Sequence, residues 1–365
     1  MNICIIGDSL TSLSLAKNLI NKKINVHIYH TKKTRNLLPN RTIGISKRNL
    51  EFFKKEILKL SKKYVWGIKK IEIYSDKLKG NKILNFEKKN ENLFYMVKND
   101  ELYKSLNNQL IKSKLFKKKY TIRSELYKKI ITNNKYDLII NCDLNNCLSK
   151  KYFSKKIEKD YYNFAYTTIL DHEKLENNIA IQIFTKFGPI AFLPISNTKT
   201  SVVCSLDVKG KEFSNIEVLN LIHFNNPKFK IKEISELSKF KLKSSNLRNY
   251  YYENILAFGD LLHTIHPLAG QGFNMIIRDI KILSEVIQNK IDLGLNLDSF
   301  IFKDFENKTK HKNLIFSNGV DFIYEFFNFE KKNDNQNLNR ILSFIGKNKT
   351  INNTIIKFAD KGLNI

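Results

Sequence analysis

The chain has little cysteine, few acidic residues, no long apolar run and no repeat. Cys4, Cys142, Cys147 and Cys204 are its only cysteines in 365 residues. They are too few and too scattered for a disulfide framework or a paired CxxC metal site, so no metal site is expected and a reducing compartment fits. The start, Met-Asn-Ile-Cys-Ile-Ile-Gly, lacks the basic region, long apolar core and small-residue cleavage site of a signal peptide. No apolar run approaches the roughly 18 residues of a membrane-spanning helix. The expected location is cytoplasmic, with peripheral contact at the inner face of the membrane left open. Without Pro- or Ser-rich linkers, any domains are interleaved rather than strung in series.

Acidic residues number 35 against 63 Lys plus Arg, a net charge of +28. That balance suits nucleic acid, an anionic membrane surface or an acidic substrate. The lysines are spread along the whole chain among many Asn and Ile, as compositional drift would produce. Short clusters such as Lys117, Lys118 and Lys119 carry no zinc-finger, RNP or basic-zipper signature, so nucleic acid is not the expected partner. What is present in quantity is core-forming material, 42% hydrophobic and 12% aromatic residues with a mean hydropathy of -0.35. Such a chain folds, and its length suggests two or three domains at about 100 to 200 residues each.

Ile3, Cys4, Ile5 and Ile6 read as a short strand, Gly7 to Ser12 as a turn, and Leu10, Leu13, Ala16, Leu19 and Ile20 as one face of a helix. A β-rich run over 24–29 completes a βαβ unit. In that setting small residues let backbone N–H groups at the helix start approach a pyrophosphate. Of the G-x-G-x-x-G fingerprint only Gly7 is glycine, with Ser9 and Ser12 at the other two positions; His30 stands where an acidic residue usually meets the ribose. Taken alone, this segment is equally a nucleotide site or an ordinary βαβ turn.

The more informative stretch runs Ile255-Leu-Ala-Phe-Gly259-Asp260-Leu-Leu-His263-Thr-Ile-His266-Pro267-Leu-Ala-Gly270-Gln271-Gly272-Phe-Asn274 and on to Asp279. It reads as a strand, a carboxylate at its C-terminal end, a Pro-punctuated loop and a long helix with Phe273, Ile276, Ile280, Leu283 and Ile287 on its buried face. Gly-Gln-Gly at the helix start leaves unpaired backbone donors for an anionic ligand.

This stretch resembles the second FAD motif of the UbiH-type ubiquinone-biosynthesis hydroxylases, within the class A FAD-dependent aromatic monooxygenases. Gly259, Asp260, His263, His266, Pro267, Ala269, Gly270, Gln271, Gly272, Asn274 and Asp279 match it at fixed spacing. The resemblance extends along the chain, through Arg41 to Ser46, Met96 to Leu102, Tyr136 to Asp143, Gly188 to Pro194, Thr200 to Val203, and the C-terminal segments 302–313 and 358–363. It implies an α/β fold: a discontinuous Rossmann-like FAD-binding domain (1–66, 101–157 and 248–290), an inserted, mainly antiparallel β-sheet substrate domain (67–100 and 158–247) and a helical C-terminal region (291–365). Strands of the insertion are readable at 161–170, 179–185, 189–193 and 200–206.

The resemblance further implies that Asp260 hydrogen-bonds the ribityl chain of FAD and that Gly270, Gln271, Gly272 and Asn274 line the flavin. Gly7, Ser9, Ser12, Asp143, Arg41, Gly259 and Pro267 complete the cofactor site, and His266, Phe192 and Pro194 belong to the substrate pocket. No catalytic base is assigned. The implied reaction takes electrons from NAD(P)H through FAD to O2 and hydroxylates an electron-rich ring of a polyprenylated phenol. The expected partners are that phenol, other ubiquinone-biosynthesis proteins and an anionic membrane surface. The sequence departs from the pattern at Ser9, Ser12, Leu144, Leu261, Leu262 and Ile276, where the family has small residues. A second reading is therefore a flavin-poor pseudoenzyme acting as scaffold. Cys142 and Cys147 read as buried small hydrophobes, and the aromatic run over 316–329 reads as helix core.

Overall fold

A computed structural model describes residues 1–31, 41–61, 64–75, 82–87, 91–120, 124–132, 135–207, 212–266 and 270–332. Strand β1 (Asn2–Ile6), helix α1 (Leu10–Asn21) and strand β2 (Asn25–His30) form the expected βαβ unit. Ile3 to Ile6 are fully buried because β1 pairs in parallel with strands on both sides. Such a strand has both faces covered, so it reads as a continuous apolar run rather than an alternation. The chain continues through β3 (Thr42–Ser46), α2 (Lys47–Glu56), β4 (Trp66–Ile68), β5 (Lys70–Ser75), β6 (Lys82–Glu87) and β7 (Phe94–Lys98). Then come α3 (Asn99–Ile111), β8 (Phe116–Tyr120), α4 (Ser124–Thr132), β9 (Leu138–Asn141) and α5 (Cys147–Tyr152).

The readable strands of the insertion are observed as β10 (Lys156–His172), β11 (Ile179–Thr185), β12 (Gly188–Pro194) and β13 (Lys199–Asp207). They are followed by α6 (Asn215–Phe224), β14 (Ile231–Ile234), β15 (Ser238–Leu247), β16 (Tyr251–Tyr252), β17 (Ile255–Ala257), β18 (His263–Thr264), α7 (Gln271–Asp292) and α8 (Phe300–Lys332).

Among the described residues these strands form three sheets. The first has the order β16-β17-β9-β1-β2-β8 and is parallel except for the β16–β17 hairpin. The second runs β18-β15-β10-β13-β12-β11-β5-β6, with β14 also on β10, and is antiparallel except where β11 meets β5. A small third sheet, β3-β7-β4, lies in sequence between them. The fold is thus the mixed α/β arrangement expected, a parallel sheet beside a larger, mainly antiparallel one. The main core joins the parallel sheet to α1, α3, α7 and the start of α8, with Phe302 and Phe305 fully buried in it.

Phe273, Ile276, Ile280, Leu283 and Ile287 are all buried on α7, as their spacing predicts. Helix α8 is core only in part: Phe316 is buried, but Phe322 is 70% exposed, so the aromatic run does not stay on one buried face. Segment 358–363 lies outside the described residues.

Candidate functional site

A cavity of about 490 Å³ opens between the parallel sheet and one face of the antiparallel sheet. Its walls come from the start of α1 (Ser9, Leu10, Thr11), from β3 (Thr42, Ile43, Gly44), from β12 and β13, and from the chain around α7. Arg41 and Asp260 stand in its wall, both exposed. The Arg41 guanidinium lies 6.0 Å from the Phe240 ring centroid, an aromatic face that holds its orientation.

The turn into α1 is built differently from the expected phosphate loop. Gly7 has φ +112°, and a Cβ there would lie 3.2 Å from the Asp143 backbone nitrogen, so glycine lets the ends of β1 and β9 close together. Ser9 and Ser12 do not merely narrow the turn. They form a reciprocal capping box, with the Ser12 N–H donating to Ser9 Oγ at 3.1 Å and the Ser9 N–H to Ser12 Oγ at 3.4 Å. Ser12 is fully buried and does not reach the cavity. The hydroxyls thus take two backbone donors that glycines would leave open, while the Leu10 and Thr11 N–H groups precede the first intrahelical bond. Asp8 is tied down as well, accepting from the Tyr103 hydroxyl at 2.7 Å and pairing with Lys118 at 2.9 Å.

Asp143 is not on the cavity wall. Its carboxylate accepts the Asn145 N–H at 2.9 Å, an Asx turn, and the neighbouring Leu144 faces the cavity instead. His30 lies with Lys118 and Tyr120 on a second, shallower hollow of about 570 Å³ at the end of β2, with no acidic residue among the described residues of its lining.

The turn into α7 retains its glycines and leaves its donors open. Gly259 has φ +66°, and a Cβ there would come 2.6 Å from Thr11 Cγ2, so glycine seats the Asp260 turn against α1. Gly270 is left-handed (φ +63°) and caps α7 without any side-chain hydrogen bond. A Cβ on Gly272 would meet no atom within 4 Å, and both glycines face the cavity. The Gln271 Oε1 atom is buried with no partner, an acceptor awaiting a donor. Pro267 lies outside the described residues. Ile276 faces the same cavity one turn into the helix and narrows it, as the change from glycine predicts.

Asn274 corrects its expected role. It is 2% exposed and fully committed: Nδ2 donates to the Gly44 carbonyl at 3.0 Å, and Oδ1 accepts from the Ser46 N–H and Asn49 Nδ2, each at 2.9 Å. It fastens β3 to α7 and offers nothing to a ligand.

The two histidines of the motif part company. His263 lines the cavity, and its Nε2 lies 2.5 Å from Asp279 Oδ2; Asp279 also accepts from Asn313 at 3.1 Å. His266, expected in the substrate pocket, sits outside it. Its ring stacks on Tyr324 (centroids 4.3 Å) and meets Tyr161 edge-on (4.8 Å), with neither nitrogen hydrogen-bonded. Burial, helped by the charge of Lys159, pushes its pKa down to about 3, so it is neutral at ordinary pH.

Phe192 and Pro194 are also misplaced by the sequence reading. Along β12 it is Pro189, Ala191 and Leu193 that face the cavity; Phe192 points to the opposite side, fully buried in a core with Tyr166, Val218 and Phe229. The pleat alternates faces at every residue, so an assignment one position out inverts the wall. Gln182, Lys156 and Lys243 line the cavity without any motif to announce them; they stand on β11, β10 and β15, and only the alternation along those strands could have pointed to this face.

No family model matches the chain. The chain is similar to 3-demethoxyubiquinol 3-hydroxylase of Escherichia coli strain K12, at 30% identity over 155 residues covering 40% of this chain and 39% of that one. Over a longer stretch it is similar to the mitochondrial ubiquinone biosynthesis monooxygenase COQ6 of Schizosaccharomyces pombe, at 22% identity over 81% of this chain and 74% of that one. It spans about half or less of several other matches, 37% and 50% of two further COQ6 proteins. Its fold is that of Klebsiella pneumoniae HpxO, solved with FAD and uric acid, with a TM-score of 0.74 at 11% identity over 100% of this chain and 97% of that one. No helix among the described residues is long and apolar enough to cross a membrane.

Proposed function

We propose that this chain is an FAD-dependent monooxygenase that hydroxylates the aromatic ring of a polyprenylated phenol in ubiquinone biosynthesis, using NAD(P)H and O2. The observation that carries the proposal is the α7 entrance. A left-handed Gly270, a helix start without a side-chain cap and an open Gly272 meet on one cavity. Those features fit a planar, electron-accepting ring with hydrogen-bonding edges. FAD would supply the transfer of electrons from NAD(P)H to O2.

The chain's own groups do the holding. Asp260 would accept hydrogen bonds from the hydroxyls of a ribityl chain. The amides at Gly270 to Gly272, with the positive end of the α7 dipole, would favour a bound ring that carries negative charge. Leu10 and Thr11 offer N–H donors to a pyrophosphate, and Arg41 offers a planar cation to its oxygens. The cofactor part is drawn from 1–66, 101–157 and 248–290, and the β12–β13 face with Ala191, Leu193 and Val203 makes an apolar wall for the substrate ring, keeping water away. The basic surface suits a location against anionic lipid, where the prenyl tail resides and a few lysines at about 1 kcal/mol each are enough for attachment. Other enzymes of the same pathway would be its neighbours there.

The test is turnover. Purified protein supplied with FAD, NAD(P)H and a prenylated phenol should consume O2 and place one oxygen atom of 18O2 on the ring. Protein that takes up no FAD and releases no hydroxylated product, yet co-purifies with pathway enzymes, would fit the scaffold reading instead.

A further inference from the structure

The buried pair His263–Asp279 is left unused by the cofactor contacts above, and its geometry is that of a held base. Asp279 is 1% and His263 3% exposed. Asp279 accepts from Asn313 through Oδ1 and from His263 Nε2 through Oδ2. With Nε2 turned to Asp279, Nδ1 is the ring nitrogen left for a second partner, and in the tautomer with its hydrogen on Nε2 it carries the lone pair. Nδ1 has no hydrogen-bond partner among the described residues, and the residue lines the cavity. Strand β18 fixes the backbone by pairing Asn246 with His263, and the contact with Asp279 holds the ring. His266, three residues on, is the internal contrast: it has two free nitrogens but lies among aromatic rings off the cavity.

We infer that His263 is the catalytic base of the reaction, removing the phenolic proton of the substrate while Asp279 orients the ring and offsets the charge it gains. The inference rests on the monooxygenase reading above. The Nδ1 lone pair forms the new N–H bond, the O–H bonding pair stays on oxygen, and the products are a phenolate and an imidazolium paired with Asp279. A phenolate is the more electron-rich ring and so the better acceptor of an electrophilic oxygen atom. The proton returns to the product oxygen or to solvent, leaving His263 as it began. The other titratable groups facing the cavity are Arg41, Lys156, Glu158, Lys241, Lys243 and Asp260. The cations among them also favour a phenolate, which is why the test compares variants at one position rather than one protein with water.

The probe is 4-nitrophenol, whose phenolate is yellow and whose phenol is not, titrated across neutral pH against FAD-loaded protein. The account predicts that the bound probe ionises at lower pH in the unaltered protein than in His263→Gln, by about one pH unit, a tenfold difference in phenolate. Asp279→Asn should move the same titration in the same direction with FAD content unchanged, and serves alone if His263→Gln does not fold. Equal ionisation in the unaltered protein and the variants, at equal FAD content, overturns the inference and leaves the monooxygenase reading standing. Failure of the unaltered protein to take up FAD overturns both. Loss of FAD affinity in His263→Gln without any change in the ionisation of the bound probe assigns the histidine to the cofactor and also overturns it.

Discussion

Two turns lead helices to the same cavity, and they satisfy their backbone donors in opposite ways. At α1 the hydroxyls of Ser9 and Ser12 close the turn on itself, and Asp8 is bound to Tyr103 and Lys118. At α7 no side chain among the described residues caps the helix, a Cβ on Gly272 would meet no atom within 4 Å, and Gln271 Oε1 is buried without a partner among them. The lesson is that replacing glycine by serine does more than crowd a phosphate loop, because the hydroxyl supplies the hydrogen bonds a ligand would have made. On the proposed function, the weight of cofactor recognition therefore falls on the α7 turn.

That contrast can be broken at several points. At neutral pH the largest effect is expected from Asn274→Ala, which strands the buried Ser46 N–H and Gly44 carbonyl and lets β3 drift from α7; chemical denaturation should register a loss of about 3 kcal/mol. Gly272→Leu should leave the fold as stable as before, or up to about 1 kcal/mol more so, since leucine favours a helix and its Cβ would meet no atom within 4 Å. Its FAD affinity should nevertheless fall at least about tenfold, equivalent to about 1.4 kcal/mol. Equal affinity would mean that the open space beside Gly272 is not where the ring binds.

A pH prediction follows from His266. Its pKa is lowered from 6.5 to about 3 in the folded protein, first by burial and then by Lys159. The unfolded chain therefore binds the proton more tightly. The neutral ring's contribution is complete above about pH 6.5 and is lost as pH falls toward about 3, at up to about 1.4 kcal/mol per pH unit. His266→Phe should flatten the fall of melting temperature over that window; an unchanged slope would place the acid sensitivity elsewhere. The smallest effect belongs to the α1 turn. Ser9→Gly with Ser12→Gly should cost under about 1 kcal/mol of stability while raising FAD affinity about twofold, because two donors are released. Weaker FAD binding in that double variant would show that the capping box helps to hold the ligand.

Much of the architecture was legible because it is written in period and punctuation. The fully apolar Ile3 to Ile6, the 3.6-residue phase of α7 and the turns around Gly188 gave strands and helices close to those observed. Side-chain commitments were not legible. Nothing in the spacing of Asn274 reveals that Gly44, Ser46 and Asn49 consume its amide, since those partners lie more than 220 residues away. His263 and Asp279 meet only once β18 and α7 are folded back on each other. Phe192 and Pro194 failed for a simpler reason: strand composition identifies the strand but not which face of its pleat meets the cavity.

The most direct measurement of the central claim is calorimetric titration of FAD into the purified, unaltered protein, followed by an absorbance spectrum of the product. The account predicts saturation at one FAD per chain and a yellow protein that retains its flavin on gel filtration. A colourless protein with no heat of binding would contradict it.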